Sequence, residues 1–160
     1  MGEKNMQLYP LALKIDGWRC VVVGGGSVAE RKAASLLECG GRVTVVSPEL
    51  TQGLRALAEE GRLEAITRPF EPRDVNGARL VIAATSLPEV NEAAATAGRL
   101  AGALVNVVDE PASCDYYAPA IVRRGSLMIA VSTSGSFPAL AKQLRQNIEK
   151  QYGSEYETYL

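Results

Sequence analysis

From about residue 18 to about residue 108, short β-branched apolar runs alternate with longer segments in which apolar residues recur at helical spacing, joined by brief connections. Arg19 to Val23 reads as a first strand. A helix follows from Ser27 to about Cys39, with Ala33, Leu36 and Leu37 on one face and Gly40 and Gly41 as its stop. Val43 to Val46 reads as a second strand. Ser47 and Pro48 then have the chemistry of an N-cap and first helical position, opening a helix that carries Leu54, Leu57 and Ala58 and ends at Gly61. Leu63 to Thr67 predicts a third strand, Leu80 to Ala84 a fourth, Pro88 to Leu100 a helix, and Ala103 to Val107 a fifth strand. Right-handed crossovers turn this alternation into an α/β doubly wound parallel sheet of order 3-2-1-4-5.

Beyond Pro111 the pattern changes. Tyr116 to Arg123 and Leu127 to Ser132 read as two strands around an Arg124-Gly125 turn, followed by TSGSFP and a helix from about Pro138 to Gln151. The expected organisation is a nucleotide-binding unit over 1–112 and a small α+β unit over 113–160. The second unit is too small to bury much surface alone, so it should pack on the first or on another subunit, and a homodimer is the simplest solution.

The most informative stretch is CVVVGGGSVAERK, Cys20 to Lys32, where a buried-strand pattern runs through a glycine turn into a helix. Gly24, Gly26 and Ala29 fill a G-x-G-x-x-A spacing, the opening of a Rossmann-like dinucleotide-binding helix. Gly24 allows the tight turn, Gly26 lets the backbone approach a pyrophosphate, and Ala29 lets the helix pack closely on its strand. The free N–H groups of Ser27, Val28 and Ala29, at the positive end of the helix dipole, would face the anion. The same spacing also serves a plain glycine turn.

In an open α/β sheet the ligand lies outside the carboxyl ends of the strands at the switch point, here between strands one and four. The loops that converge there carry Gly24, Gly25, Gly26, Ser27 and Val28 after strand one, Ser47 and Pro48 after strand two, Thr85 and Ser86 after strand four, and Asp109 after strand five. No Asp or Glu ends strand two, where one would signal the ribose of NAD, and no Arg stands there to favour a 2′-phosphate. Ser47 can hydrogen-bond a ribose with Glu49 beside it, and Ser-Pro is equally ordinary capping, so spacing leaves NAD against NADP open. Arg68, beyond strand three, is either a 2′-phosphate partner or a solvated strand-end charge. Thr85 and Ser86 are small enough to contact a cofactor without blocking it, and they also suit a simple turn.

Composition narrows the chemistry. The chain has 160 residues, 47% hydrophobic and 22% charged, with a net charge of −1, so no overall basic field recruits nucleic acid or acidic membranes. Its apolar runs fall short of a membrane span and its start lacks a signal-peptide plan, which reads as cytoplasmic. Cys20, Cys39 and Cys114 form neither a disulfide framework nor a zinc pattern, and no metal site is expected. There is no histidine. Histidine-based triads and metal ligands are therefore excluded within the chain, and proton transfer falls to Asp, Glu, Lys, Tyr or Cys. Asp109, in NVVDEP, is the best-placed candidate base, although a lone acid there also caps a turn. In the second unit Arg123, Arg124, Lys142 and Arg145 suit a multiply carboxylated ligand, and equally an ordinary solvated surface. Ser132 to Ser136 offer hydroxyl and backbone donors for anionic groups.

Together YPLALKIDGWRCVVVGGGSVAERK, VIAATSLPEVN, NVVDEP and YYAPAIVRRGSLMIAVSTSGSFPALAKQLR resemble the precorrin-2 dehydrogenase family, the NAD-dependent module of siroheme synthase, which in some members is also a sirohydrochlorin ferrochelatase. The likeness runs from Leu8 to about Gln151. It implies NAD as cofactor, hydride transfer from precorrin-2 to give sirohydrochlorin, Asp109 as the residue that matters for dehydrogenation, and Ser27, Val28 and the Ser47-Pro48 region as cofactor contacts. It also implies a homodimer built from the second unit and a polycarboxylated tetrapyrrole facing Arg123, Arg124, Ser132, Lys142 and Arg145. Some fused relatives carry a phosphorylated serine at the position of Thr133, a modification not carried over. The family usually continues into a helical region or a fused methyltransferase that helps close the tetrapyrrole site, which this chain is expected to lack. The alternative of a different class is a non-catalytic NAD(H)-sensing dimer.

Overall fold

The computed structural model describes residues 7–157; the outermost ends of the two expected units, Met1 and Leu160, lie outside them. Two compact units form, one spanning Ala12–Tyr116 and a smaller one made of residues 7–11 with 117–157. In the larger, β1 (Arg19–Val23), β2 (Arg42–Val46), β3 (Glu64–Ile66), β4 (Leu80–Ala83) and β5 (Leu104–Val107) make a parallel sheet of order β3-β2-β1-β4-β5. The expected topology is therefore present. Register pairs Val23 with Val46 on one side and Ala83 on the other, so the strands beside the switch point end level.

Both faces of the sheet are covered, which explains why its strands read as continuous apolar runs. Alternate residues divide between two cores. Cys20, Val22, Val43, Val45, Leu80 and Ile82 meet α1 (Ser27–Glu38) and α2 (Gln52–Glu59) through Ala29, Ala33 and Leu54. Val21, Val23, Val81, Ala83, Val105 and Val107 meet α3 (Pro88–Leu100) through Ala94, Ala95 and Ala97. Leu54 is fully buried, so Leu54→Ala should cost about 2–5 kcal/mol.

The start of α2 departs from expectation. Thr51, not Ser47, is its N-cap: the Thr51 hydroxyl accepts from the Leu54 amide at 3.2 Å. The reason is tertiary. The Thr51 amide donates to the Gly25 carbonyl at 2.9 Å, which holds residues 47–51 as a loop across the glycine turn until a helix can begin. Strand ends shift by a residue elsewhere, and the first strand of the hairpin starts later than expected: β6 covers Ala120–Arg124 and β7 Leu127–Val131, turning at Gly125, which has φ +56°.

The larger unit runs to Tyr116 because residues 113–116 fold back along β5. The Asp115 amide donates to the Val105 carbonyl at 2.8 Å, and its carboxylate accepts from the Val105 amide at 2.9 Å, so one residue occupies both backbone groups of this edge position. Arg99 fixes it, donating to the Asp115 carboxylate at 3.1 Å and the Ser113 carbonyl at 2.7 Å.

In the smaller unit β6 and β7 pair antiparallel, and α4 (Pro138–Gln151) packs on them around buried Val122 and Ala141. Met128, Phe137, Leu140 and Leu144 remain exposed. No helix among the described residues is long and apolar enough to cross a membrane.

Candidate active site

The three glycines after β1 have different jobs. Gly24 sits at φ +124°, and a Cβ there would lie 2.5 Å from the Ala84 carbonyl oxygen and 3.2 Å from the Thr85 amide nitrogen. Both conformation and crowding demand glycine. At Gly25 a Cβ would collide with the Glu49 carbonyl oxygen and lie 2.8 Å from Ser47 Oγ, so this glycine lets the β2–α2 loop close over the turn. Sequence spacing assigned Gly25 no such role.

Gly26 is the opposite case. Its backbone (φ −84°, ψ −175°) suits any residue, and a Cβ there would meet nothing within 4 Å. It caps α1 with no side-chain hydrogen bond, leaving the first amides, Ser27, Val28 and Ala29, without intrahelical acceptors. A helix N-terminus bared by an unneeded glycine is a cradle for an anion brought close to backbone. Ala29 is fully buried against the sheet, as expected.

The other candidates of this unit come from the same strand ends. Ser47 is buried with its hydroxyl packed against Gly25, while Pro48 and Glu49 are exposed. Arg68 is already engaged. Its guanidinium donates to both Asp74 oxygens, at 2.5 and 2.9 Å, and to the Pro69 carbonyl at 2.8 Å. That hydrogen bond holds the buried Asp74 carboxyl below its ordinary value. Thr85 is half-buried and Ser86 exposed. Asn91, on α3, gives Thr85 three contacts: its Oδ1 accepts from the Thr85 amide at 3.1 Å and the hydroxyl at 2.8 Å, and its Nδ2 donates to the Thr85 carbonyl at 3.0 Å.

Asp109 stands exposed in the turn after β5 with φ +63°, a left-handed conformation uncommon outside glycine but tolerated by Asp and Asn. The Val108 amide ties the turn to β4 through the Ala83 carbonyl at 2.9 Å. Cys114 staples it from the far side: its sulfur accepts from the Val107 amide at 3.2 Å and Asn106 Nδ2 at 3.4 Å, and its thiol faces the Val107 and Glu110 carbonyls at 3.2 and 3.4 Å. Burial pushes this thiol above its ordinary value, so it behaves as a structural donor. Burial likewise holds the Lys32 ammonium of α1 below its usual value, with Arg31 adding to the effect.

The remaining candidates lie in the smaller unit. Arg124 spends its guanidinium on the end of α4, donating to the Tyr152 carbonyl at 2.9 Å and the Glu149 carbonyl at 3.3 Å. Arg145 pairs with Glu149 at 2.5 Å. Ser132 Oγ accepts from the Ser134 amide at 3.1 Å, and Arg123 and Lys142 are exposed.

The model of a family described as putative NAD(P)-binding matches residues 11–120, more than half of the chain. The chain belongs to that family. The cradle at Gly26 fits its dinucleotide, because among the described residues no atom lies within 4 Å of a Cβ placed there. A second family model, the sirohaem biosynthesis protein central region, matches residues 124–151. Siroheme synthase from Chromobacterium violaceum is 45% identical over 144 residues, covering 90% of this chain and 31% of that protein. The one from Methylococcus capsulatus is 44% identical over 153 residues, covering 96% and 32%. The chain thus spans about a third of the length of these relatives. Among solved structures, SirC, a precorrin-2 dehydrogenase, is similar with a TM-score of 0.81 and 26% identity, over 95% of this chain and 75% of that one.

Proposed function

We propose that this NAD(P)-binding family member uses NAD to dehydrogenate precorrin-2 to sirohydrochlorin, in the cytoplasm and as a homodimer. The observation that carries the reading is the extent of the likeness to SirC: it covers 95% of the chain, beyond the nucleotide-binding unit alone. Siroheme synthase relatives over at least 90% of the chain support the same pathway. The engagement of Arg68 by Asp74 supports NAD over NADP, because a 2′-phosphate would need a cation that is already paired.

NAD, when bound, supplies the hydride acceptor. The protein's part is to hold it and to take the proton. The α1 amides of Ser27 and Val28 bind the pyrophosphate, with Gly24, Gly25 and Gly26 shaping the turn and Ser47, Pro48, Thr85 and Ser86 lining the loops around it. Asp109 accepts the proton as the substrate loses a hydride and a proton in a two-electron oxidation. With no histidine in the chain, a carboxylate held in a left-handed turn is the group suited to this. Arg123, Arg124, Lys142 and Arg145, with Ser132, meet the substrate carboxylates, Arg124 and Arg145 also bracing the end of α4. The exposed Phe137, Leu140 and Leu144 form the apolar face of the dimer, and Leu144→Glu should yield monomers in sedimentation.

The test is the chain mixed with NAD and precorrin-2 under anaerobic conditions, following the reduced-nicotinamide band. NADH formation is expected, falling about 10²–10⁴-fold in Asp109→Asn with NAD affinity retained. NAD binding without turnover overturns the dehydrogenase and favours a sensor; an undiminished rate in Asp109→Asn removes the carboxylate from the reaction.

A further inference from the structure

We infer that Asn91 is a positioning residue for the nicotinamide half of the dinucleotide, acting through Thr85; this rests on the dinucleotide reading above. Asn91 occupies the fourth position of α3, where an asparagine is a poor helix former, and only 8% of its surface is exposed. Burial of a carboxamide is unfavourable unless its donors and acceptors are matched. Here they are matched by one residue. Oδ1 takes the Thr85 amide at 3.1 Å while Nδ2 returns a hydrogen bond to the Thr85 carbonyl at 3.0 Å. The side chain thus pairs with Thr85 as a neighbouring strand's peptide group would, just where the chain has left β4. Oδ1 also faces the Thr85 hydroxyl at 2.8 Å, and that hydroxyl accepts from the Leu87 amide at 3.1 Å. Four polar groups of one turn are fixed by this cluster.

The position of Thr85 gives the cluster its consequence. Its amide nitrogen and the Ala84 carbonyl stand 3.2 and 2.5 Å from the place a Gly24 Cβ would take, so the loop after β4 is pressed on the glycine turn. A loop freed by even a few tenths of an ångström would change the wall of the crevice there. In a doubly wound sheet the adenosine half of a dinucleotide lies toward β2 and the other half across the switch point, toward β4. Asn91 therefore governs the nicotinamide side and leaves the adenosine side to the β2 loop, which Thr51 and Gly25 join independently.

The experiment is calorimetric titration of the full chain with NAD and, separately, with AMP, for the native protein, Asn91→Ala and Asn91→Asp. Asn91→Asp keeps the acceptor and sets a carboxylate oxygen against the Thr85 carbonyl, so the pairing is broken with little change of shape. Val43→Ala, at the amino end of β2, is the control for general destabilisation, and thermal midpoints are recorded for all four proteins. NAD affinity should fall about tenfold or more in both Asn91 variants while AMP affinity changes by less than about twofold, and Val43→Ala should leave the ratio of the two affinities unchanged. Parallel loss of NAD and AMP affinity, or unchanged NAD affinity, overturns the positioning role. If the native protein binds neither compound, the dinucleotide reading falls, and this inference with it.

Discussion

The left-handed backbone of Asp109 allows a test in which stability and activity move in opposite directions. At φ +63° in the turn after β5, an ordinary L-residue carries a penalty of about 1–2 kcal/mol, which glycine escapes. Glycine in turn loses about 0.4–1 kcal/mol through the larger entropy of its unfolded chain. Asp109→Gly should therefore be as stable as the native protein or up to about 1 kcal/mol more stable. Asp109→Ala keeps the strain and loses the short polar side chain that eases it, so it should fall about 1 kcal/mol below the glycine variant. For a chain of this size that gap corresponds to about 2–4 °C in thermal midpoint, readable by scanning calorimetry on both variants side by side. Turnover with precorrin-2 should be lost in both. An alanine variant that melts at or above the glycine variant refutes the strained turn, and a glycine variant that still turns over refutes the carboxylate as proton acceptor.

The glycine turn separates folding from binding: Gly25→Ala, which collides with the Glu49 carbonyl, should lower stability by about 1–3 kcal/mol in urea unfolding, whereas Gly26→Ala should fold normally and lose NAD affinity in titration. Asp74 makes part of the stability pH-dependent. Because Arg68 holds its folded pKa below the ordinary value, the contribution is complete above the ordinary carboxylate range and is lost as pH falls through the depressed folded value; Asp74→Asn should be less stable at pH 7 and converge with the native protein in acid melts. Burial pushes the Cys20 thiol up to about 11, so it should resist alkylation at pH 8 until the chain unfolds, and the stability it lends should fade as pH rises from about 9 toward 11.

Strand order was legible because the information is local. Each β-branched run, glycine stop and helical repeat could be read within its own window, and handedness supplied the topology. Gly24 and Ala29 were legible for the same reason. What escaped depended on residues distant in sequence. Ser47-Pro48 has every mark of a helix start, yet the bond from Thr51 to Gly25, 26 positions away, delays α2. Gly25 is dictated by Glu49, and Cys114 is a staple only because β5 and the turn after it bend around its sulfur. Asn91 closes VIAATSLPEVN in plain view, but nothing in its spacing from Thr85 shows that its carboxamide turns back across the helix start.

The return of residues 113–116 along β5 also covers a sheet margin that would otherwise be open. A bare outer strand is a template onto which any extended segment can be zipped, and unchecked zipping ends in aggregates. Asp115 occupies both backbone groups of Val105, and β3 at the opposite margin is only three residues long, so the five-stranded sheet presents little to lengthen. The hairpin of β6 and β7, paired only with each other in the described residues, retains outer edges. Edge-to-edge lengthening of the five-stranded sheet is disfavoured at both of its margins.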